Sequence, residues 1–314
     1  MGTAVSNDKA CVCPFCQHDV DFTLDPYLIE ELANHNVVVF AGAGISTERT
    51  LSAPHSLYTA LAADLGLADS ATPFPDVAEA LAKKPDGRFR LMRLIQEHLD
   101  YVAKFADTRH EATKFHREAS TMPYLRTFIT TNWDRSFEDI CRAKPFVYDP
   151  DMRFWDVPNR KVLKIHGTID DYSSIVVTRS DYDVCAQRLH KSLIGAKIKE
   201  ILTSKTCIFV GYSMRDDDFQ EIFRFVREAQ GKFEKTHYLV SPHADSGESI
   251  DNIIAIATDG AYFLKCIKEH MCNNYCYVSD DVLDLAVGEL YEVGTIRLTY
   301  QNQPSYLNAR QAGA

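Results

Sequence analysis

Hydrophobic positions along the chain fall into two kinds of run. One is short and unbroken: Val37 to Ala41 reads VVVFA, β-branched and without polar alternation. A run of that length with no polar face predicts a strand buried on both sides, as in the middle of a parallel sheet. Strand-type runs recur at Leu125 to Thr130, Val162 to Ile165, Ile175 to Thr178, Thr206 to Val210 and His237 to Val240. The other kind repeats at helical spacing. Phe89, Met92, Leu94, Ile95, Leu99 and Val102 follow it, inside a stretch from about 53 to 120 with no strand candidate. Asp25 before Pro26 starts a helix that runs to about Asn34, since a carboxylate caps the first turn and proline fits there. Phe219 to Ala229 is a further helical stretch between strands.

This alternation predicts an α/β fold: a doubly wound, mostly parallel Rossmann-like sheet with an all-helical insertion at about residues 51–122. The expected layout is a cysteine-containing segment over 1–24, the α/β domain over 25–300 and a polar tail over 301–314.

In open α/β sheets ligands bind beyond the carboxyl ends of the strands, so the residues just after each run carry the chemistry. Gly42-Ala43-Gly44-Ile45-Ser46 follows the first; its glycines allow a pyrophosphate close to the backbone, although a tight turn reads the same way. Thr130-Thr131-Asn132-Trp133-Asp134 sets an amide, an indole and a carboxylate in a row, with helix capping as the bland alternative. Ile165-His166-Gly167-Thr168 puts a histidine beside a glycine at a strand end, where a buried structural histidine is the rival reading. Val210-Gly211-Tyr212-Ser213 precedes Arg215 and the acidic run Asp216 to Asp218, which can also cap the next helix. Each cluster alone is weak, and their convergence on one rim is what carries weight.

Composition narrows the classes. The 314 residues are 46% hydrophobic, enough for a full core, and the net charge of −10 argues against a broad basic face for nucleic acid. The apolar runs are strand-length, short of the roughly 18 residues of a membrane span, so a soluble cytoplasmic protein that binds neither membrane nor nucleic acid directly is expected. Nine scattered cysteines do not frame a disulfide scaffold. Cys13 and Cys16 have zinc-ligand spacing but make half a site; Cys11 with His18, or Cys272 with Cys276, are candidates for the other half.

The ordered set GAGIS, TTNWD, KIHG and VGYS, with a helical insertion after the first, resembles the NAD-binding core of the sirtuin family over roughly Val37 to Val240. The resemblance implies that the GAGIS backbone and Ser46 hold the pyrophosphate, and that Asn132 holds the nicotinamide ribose or the attacking water. It further implies that Asp134 meets the nicotinamide amide, that His166 is the general base, and that Gly211 with Ser213 lines the adenosine half. Ala41, Thr131, Trp133 and Tyr212, within or beside the same motifs, join the expected NAD-binding set.

Two departures count against acyl-peptide chemistry. Between His166 and Gly211 only Cys185 and Cys207 occur, so the paired cysteines of the sirtuin zinc ribbon are missing there, and Thr47-Glu48-Arg49-Thr50 replaces the family's Pro-Asp-Phe-Arg pattern. The segment Val176 to Tyr182, together with Gly211 to Phe219, looks closer to the sirtuin-like NAD hydrolases of bacterial antiphage systems. That likeness implies NAD+ as substrate, cleaved to nicotinamide and ADP-ribose, with cyclisation left open. It also implies control by homo-oligomerisation or by a separate partner such as a ring ATPase. A deacylase or ADP-ribosyltransferase, and a sensor that binds NAD or ADP-ribose without cutting it, are the alternatives.

Overall fold

The computed structural model describes residues 3–4, 17–49, 52–53, 55–67, 72–211, 224, 227, 235–244, 249–250 and 252–272. The expected helix at Phe219 to Ala229, the expected site residues Tyr212 and Ser213, the zinc candidates Cys13 and Cys16, and the 301–314 tail lie outside this set, apart from positions 224 and 227.

The first described elements are β1 (Thr3–Ala4), β2 (Thr23–Leu24), α1 (Pro26–Ala33) and β3 (Val37–Ala41). Five helices follow: α2 (Leu57–Leu65), α3 (Phe74–Ala82), α4 (Gly87–Lys104), α5 (Ala106–Ala112) and α6 (Lys114–Ser120). The sheet resumes with β4 (Thr127–Thr130), α7 (Ser136–Asp139), β5 (Lys144–Phe146) and β6 (Lys161–Lys164). Then come α8 (Arg179–Lys191), α9 (Leu193–Ser204), β7 (Thr206–Val210), β8 (His237–Val240), β9 (Ser249–Ile250), β10 (Ile253–Ile256) and α10 (Gly260–Cys272). Among the described residues no helix is long and apolar enough to cross a membrane.

β3 to β10 form one sheet in the order β5-β6-β4-β3-β7-β8-β10-β9, parallel except for the edge strand β9. The two faces are covered separately, as the unbroken apolar run in β3 requires. Val37, Val39 and Ala41 pack into a core with α1, α6 and α10, whereas Val38 and Phe40 pack into a second core with α8 and α9. This is the doubly wound, mostly parallel α/β fold expected from the alternation of runs.

The helices after β3 do not form a single layer. α2, α3 and α4 share a core of their own, built on Leu61, Val77, Leu81, Leu91 and Ile95, which is completed by Ile175 and Val177. α6 instead sends Phe115 and Ala119 into the sheet core. Ion pairs join the α2–α4 unit to the start of α8: Arg179 grips Asp76 with two bonds, and Arg88 donates to Asp181 at 2.6 Å.

Ile175 to Thr178 is not a strand, contrary to its β-branched pattern. Its backbone groups are taken elsewhere: Val176 N–H donates to His166 O, and the N–H groups of Val177 and Thr178 donate to Asp181 Oδ2 in the N-terminal cap of α8. The apolar side chains are buried against helices rather than in a ladder. The run was expected to be a strand, and its amides are taken by other partners instead.

The strands that matter end in register. Ala41 lies beside both Thr130 and Val210, and Thr130 lies beside Lys164, so Gly42, Thr131, Ile165 and Gly211 step off one rim together. β3 is also where the chain order reverses, with β4 on one side and β7 on the other. At that switch point Gly44 N–H donates to Gly211 O at 2.9 Å, and Gly211 holds φ at +56°. A Cβ on Gly211 would stand 2.4 Å from Ile45 N, so glycine is required both for the conformation and for the space. Gly211→Ala is expected to lower stability by about 2 kcal/mol or more, read as a drop in the urea midpoint. A midpoint equal to that of the parent chain would contradict this packing.

Candidate active site

Two cavities lie on this rim. The first, about 360 Å³, is lined by Gly42, Ala43 and Gly44 from the loop after β3 and by Thr131 to Asp134 after β4. His166 after β6, Tyr182 on α8 and Gly211 complete that side. The second, about 300 Å³, is lined by Gly44, Ile45, Val210 and Gly211, together with Ser241, Pro242 and Asp259 from the far half of the sheet. Gly44, Glu48 and Gly211 belong to both, so the cavities meet at the glycine contact between β3 and β7.

The loop after β4 is built by hydrogen bonds that its sequence supplies. Thr130 Oγ1 donates to Ala41 O and accepts from Asn132 N–H, turning the chain off the strand. Asn132 is buried; its Nδ2 donates to Gly42 O at 3.2 Å and to Ser46 Oγ at 3.1 Å, and Ser46 Oγ donates to Asp134 Oδ2 at 3.2 Å. Asn132 Oδ1 is buried with no hydrogen-bond partner among the described residues.

The hydroxyl of Ser46, expected at the pyrophosphate, joins Asn132 to Asp134, and the residue lines neither cavity. The loop's amides are engaged in the same way. Gly42 N–H donates to Val210 O, Gly44 N–H to Gly211 O, Ile45 N–H to Gly42 O and Ser46 N–H to Ala43 O. Ala41 is a fully buried strand residue rather than a wall residue. The glycines serve close approach of backbone to backbone more than donation.

Beneath the loop lies a buried cation. Lys164 has no exposed side-chain surface, and its Nζ donates to Asp134 O at 2.5 Å, Glu138 Oε1 at 2.9 Å and Trp133 O at 3.3 Å. Trp133 O also accepts from Ile169 N–H, which ties the loop to the chain just past His166. Burial pushes the Glu138 carboxyl up while Lys164 pulls it down, and the rise wins. Burial would also raise Asp134, but the neighbouring His116 and Lys164 and the Ser136 N–H outweigh it and hold that carboxyl below the usual range.

His166 is buried with its ring edge-on to Tyr182 at 4.9 Å between centroids. Gly167 explains the His-Gly pairing, because its φ is +86° and a Cβ there would meet Ser174 O at 2.1 Å. Among the described residues no group of three or more His, Cys, Asp or Glu is placed to hold a metal ion.

Sequence reasoning missed the wall supplied by the helical unit. Leu57, Tyr58, Phe74, Ile95, His98 and Leu99 all line the first cavity. The signal was present: Ile95, His98 and Leu99 stand at i, i+3 and i+4 on α4, so a histidine shares the apolar face of a helix. Lys164 was visible in the KIHG motif but was given no role.

Lys164→Met is expected to leave Glu138 without its cation and the two carbonyls without their donor, costing about 3–5 kcal/mol in urea unfolding; a loss below about 1 kcal/mol would contradict the assignment. His116 gives a pH test. Burial drives its pKa from 6.5 down to about 4, so the unfolded chain takes up that proton first as the pH falls. The stability this residue confers is complete above pH 6.5 and is lost progressively towards pH 4. His237, depressed to about 4 in the same way, adds to the trend. His116→Gln is expected to flatten the curve of stability against pH across that window, and an unchanged slope would refute the attribution.

Residues 126–263 match the SIR2-like domain family. The NAD(+) hydrolase ThsA of Cytobacillus dafuensis is 27% identical over 219 residues, covering 67% of this chain and 42% of that protein. The protein of the same name from Bacillus cereus (strain MSX-D12) is 26% identical over 220 residues, covering 67% of this chain and 44% of its own length. The chain thus spans less than half the length of these curated relatives. A solved Sir2 enzyme structure covers 79% of this chain and 96% of that chain at 14% identity, with a TM-score of 0.45. The match to the SIR2-like domain family spans the TTNWD, KIHG and VGYS motifs, and the GAGIS loop precedes it in the chain.

Proposed function

We propose that this chain is an NAD+ glycohydrolase that cleaves the nicotinamide–ribose bond to give nicotinamide and ADP-ribose. The observation that carries the reading is the first cavity, where buried Asn132, with its unpartnered Oδ1, and buried His166 line one wall. The likeness to hydrolases of NAD(+) supports the choice of substrate. The second cavity supports a dinucleotide: it continues from the first across the Gly44 and Gly211 contact, which suits a pyrophosphate lying over the glycines with the adenosine beyond.

The bond breaks through an oxocarbenium-like state, and nicotinamide leaves neutral because its ring is cationic in NAD+. The site needs orientation more than acid catalysis. In this reading Asn132 Oδ1 accepts from a ribose hydroxyl or from the attacking water, while its amide is locked by Gly42 O and Ser46. His166 takes the proton from the water as it adds to the anomeric carbon. Lys164, Glu138 and Ser46 touch no substrate and hold the Asn132 to Asp134 loop in place.

As in the sirtuin-like hydrolases the sequence resembles, the activity would serve as a NAD-depleting effector of bacterial antiphage defence in the cytoplasm. Oligomerisation or a separate partner would control it.

The test is nicotinamide release from NAD+ with no acyl-lysine or acceptor protein present. Asn132→Ala and His166→Ala are each expected to lower kcat/KM by about 10²–10⁴-fold. Undiminished release in both variants would overturn the assignment, and release that depends on an acylated peptide would favour a deacylase.

A further inference from the structure

Three buried polar atoms of residues lining the first cavity have no hydrogen-bond partner among the described residues: Asn132 Oδ1, Trp133 Nε1 and His98 Nε2. An unpaired buried donor or acceptor is destabilising, so a cluster of them around one cavity describes what the cavity takes in. Asn132 and Trp133 belong to the loop after β4. His98 does not: it comes from α4, in the helical unit, with nine-tenths of its side chain buried.

Its setting is specific. Glu48 Oε1 stands 3.4 Å from His98 Nε2, outside hydrogen-bonding geometry, and already accepts the Leu57 N–H at 3.1 Å at the start of α2. The carboxylate is thereby held at the start of one helix and stands beside the imidazole of another. Around this pair the wall is apolar and aromatic, with Leu57, Tyr58, Phe74, Ile95 and Leu99. A flat heteroaromatic ring bearing one polar substituent suits such a wall, the ring against carbon and the substituent against the histidine.

The expected partner for that substituent is engaged elsewhere. Asp134, assigned to the nicotinamide amide by resemblance, accepts from Ser136 N–H through Oδ1 and from the Ser46 hydroxyl through Oδ2. His98 lines the first cavity and not the second, which separates the nicotinamide end from the adenosine end. Resting on the NAD+ reading above, we propose that His98, beside Glu48, recognises the carboxamide of the nicotinamide ring and that the helical unit thereby supplies substrate specificity. An imidazole nitrogen can accept an amide N–H or donate to the amide oxygen, depending on tautomer.

The experiment uses the full chain carrying His166→Ala, so that NAD+ persists, and measures binding of NAD+, of ADP-ribose and of the deamido dinucleotide with a carboxylate in place of the carboxamide. Adding His98→Ala is expected to weaken NAD+ about tenfold, to leave ADP-ribose unchanged, and to narrow the preference for NAD+ over the deamido form. His98→Gln, which keeps a hydrogen-bonding end, is expected to restore part of the NAD+ affinity. Retained ADP-ribose binding shows that the variants fold. Unchanged NAD+ affinity, or an equal loss for NAD+ and ADP-ribose in both variants, overturns the proposal while the NAD+ site stands. No binding of NAD+ to the chain with His98 intact overturns the NAD+ reading itself, and this proposal with it.

Discussion

A buried ammonium must be surrounded by oxygen, and in this fold that demand falls on Lys164. Its Nζ has no exposed surface to hydrate, so Glu138 and the carbonyls of Trp133 and Asp134 have to be where they are. The backbone of the most chemically loaded stretch in the chain is thereby set from below. Asn132, immediately before it, is then set from the side by Gly42 O and Ser46. Two positions past Lys164, just beyond the end of the strand, stands His166, so β6 carries the anchor of one site loop and leads directly into the next.

Above that anchor the geometry depends on two places where the chain passes too close to itself for a side chain. Gly211 presses on Gly44 and Ile45, and Gly167 presses on Ser174. The first contact joins the tips of β3 and β7 and divides the rim into two connected cavities. The second lets the chain fold back after His166, so that Val176 N–H reaches His166 O. Both are steric conditions on the backbone, and the first brings residues far apart in sequence to one edge of the sheet.

Much of this was legible in the sequence because the patterns involved are local. VVVFA could only be a strand buried on both faces, and the motifs at the strand tips follow directly from where the strands stop. What the sequence hid depends on pairing and on long-range contact. Ile175 to Thr178 has strand composition, but Asp181 takes two of its amides. β5 is three residues long with a proline inside, and so carries no periodic signal. The sirtuin resemblance implied a pyrophosphate contact for Ser46, and only the folded chain shows its hydroxyl between Asn132 and Asp134. His98 stood in plain view on α4, but only the folded chain brings it to Glu48 and the cavity.

The segment from Ile175 to Thr178 also makes the helical wall of the cavity and His166 parts of one linkage. Ile175 and Val177 are embedded in the core of α2–α4, while Val176, between them, holds the carbonyl of His166. Arg88 of α4 reinforces the connection by donating to Ile175 O at 2.8 Å. A displacement of the helices that carries this segment along pulls on the peptide unit of His166, so the α2–α4 unit and the strand tip that bears this histidine share a single mechanical coordinate.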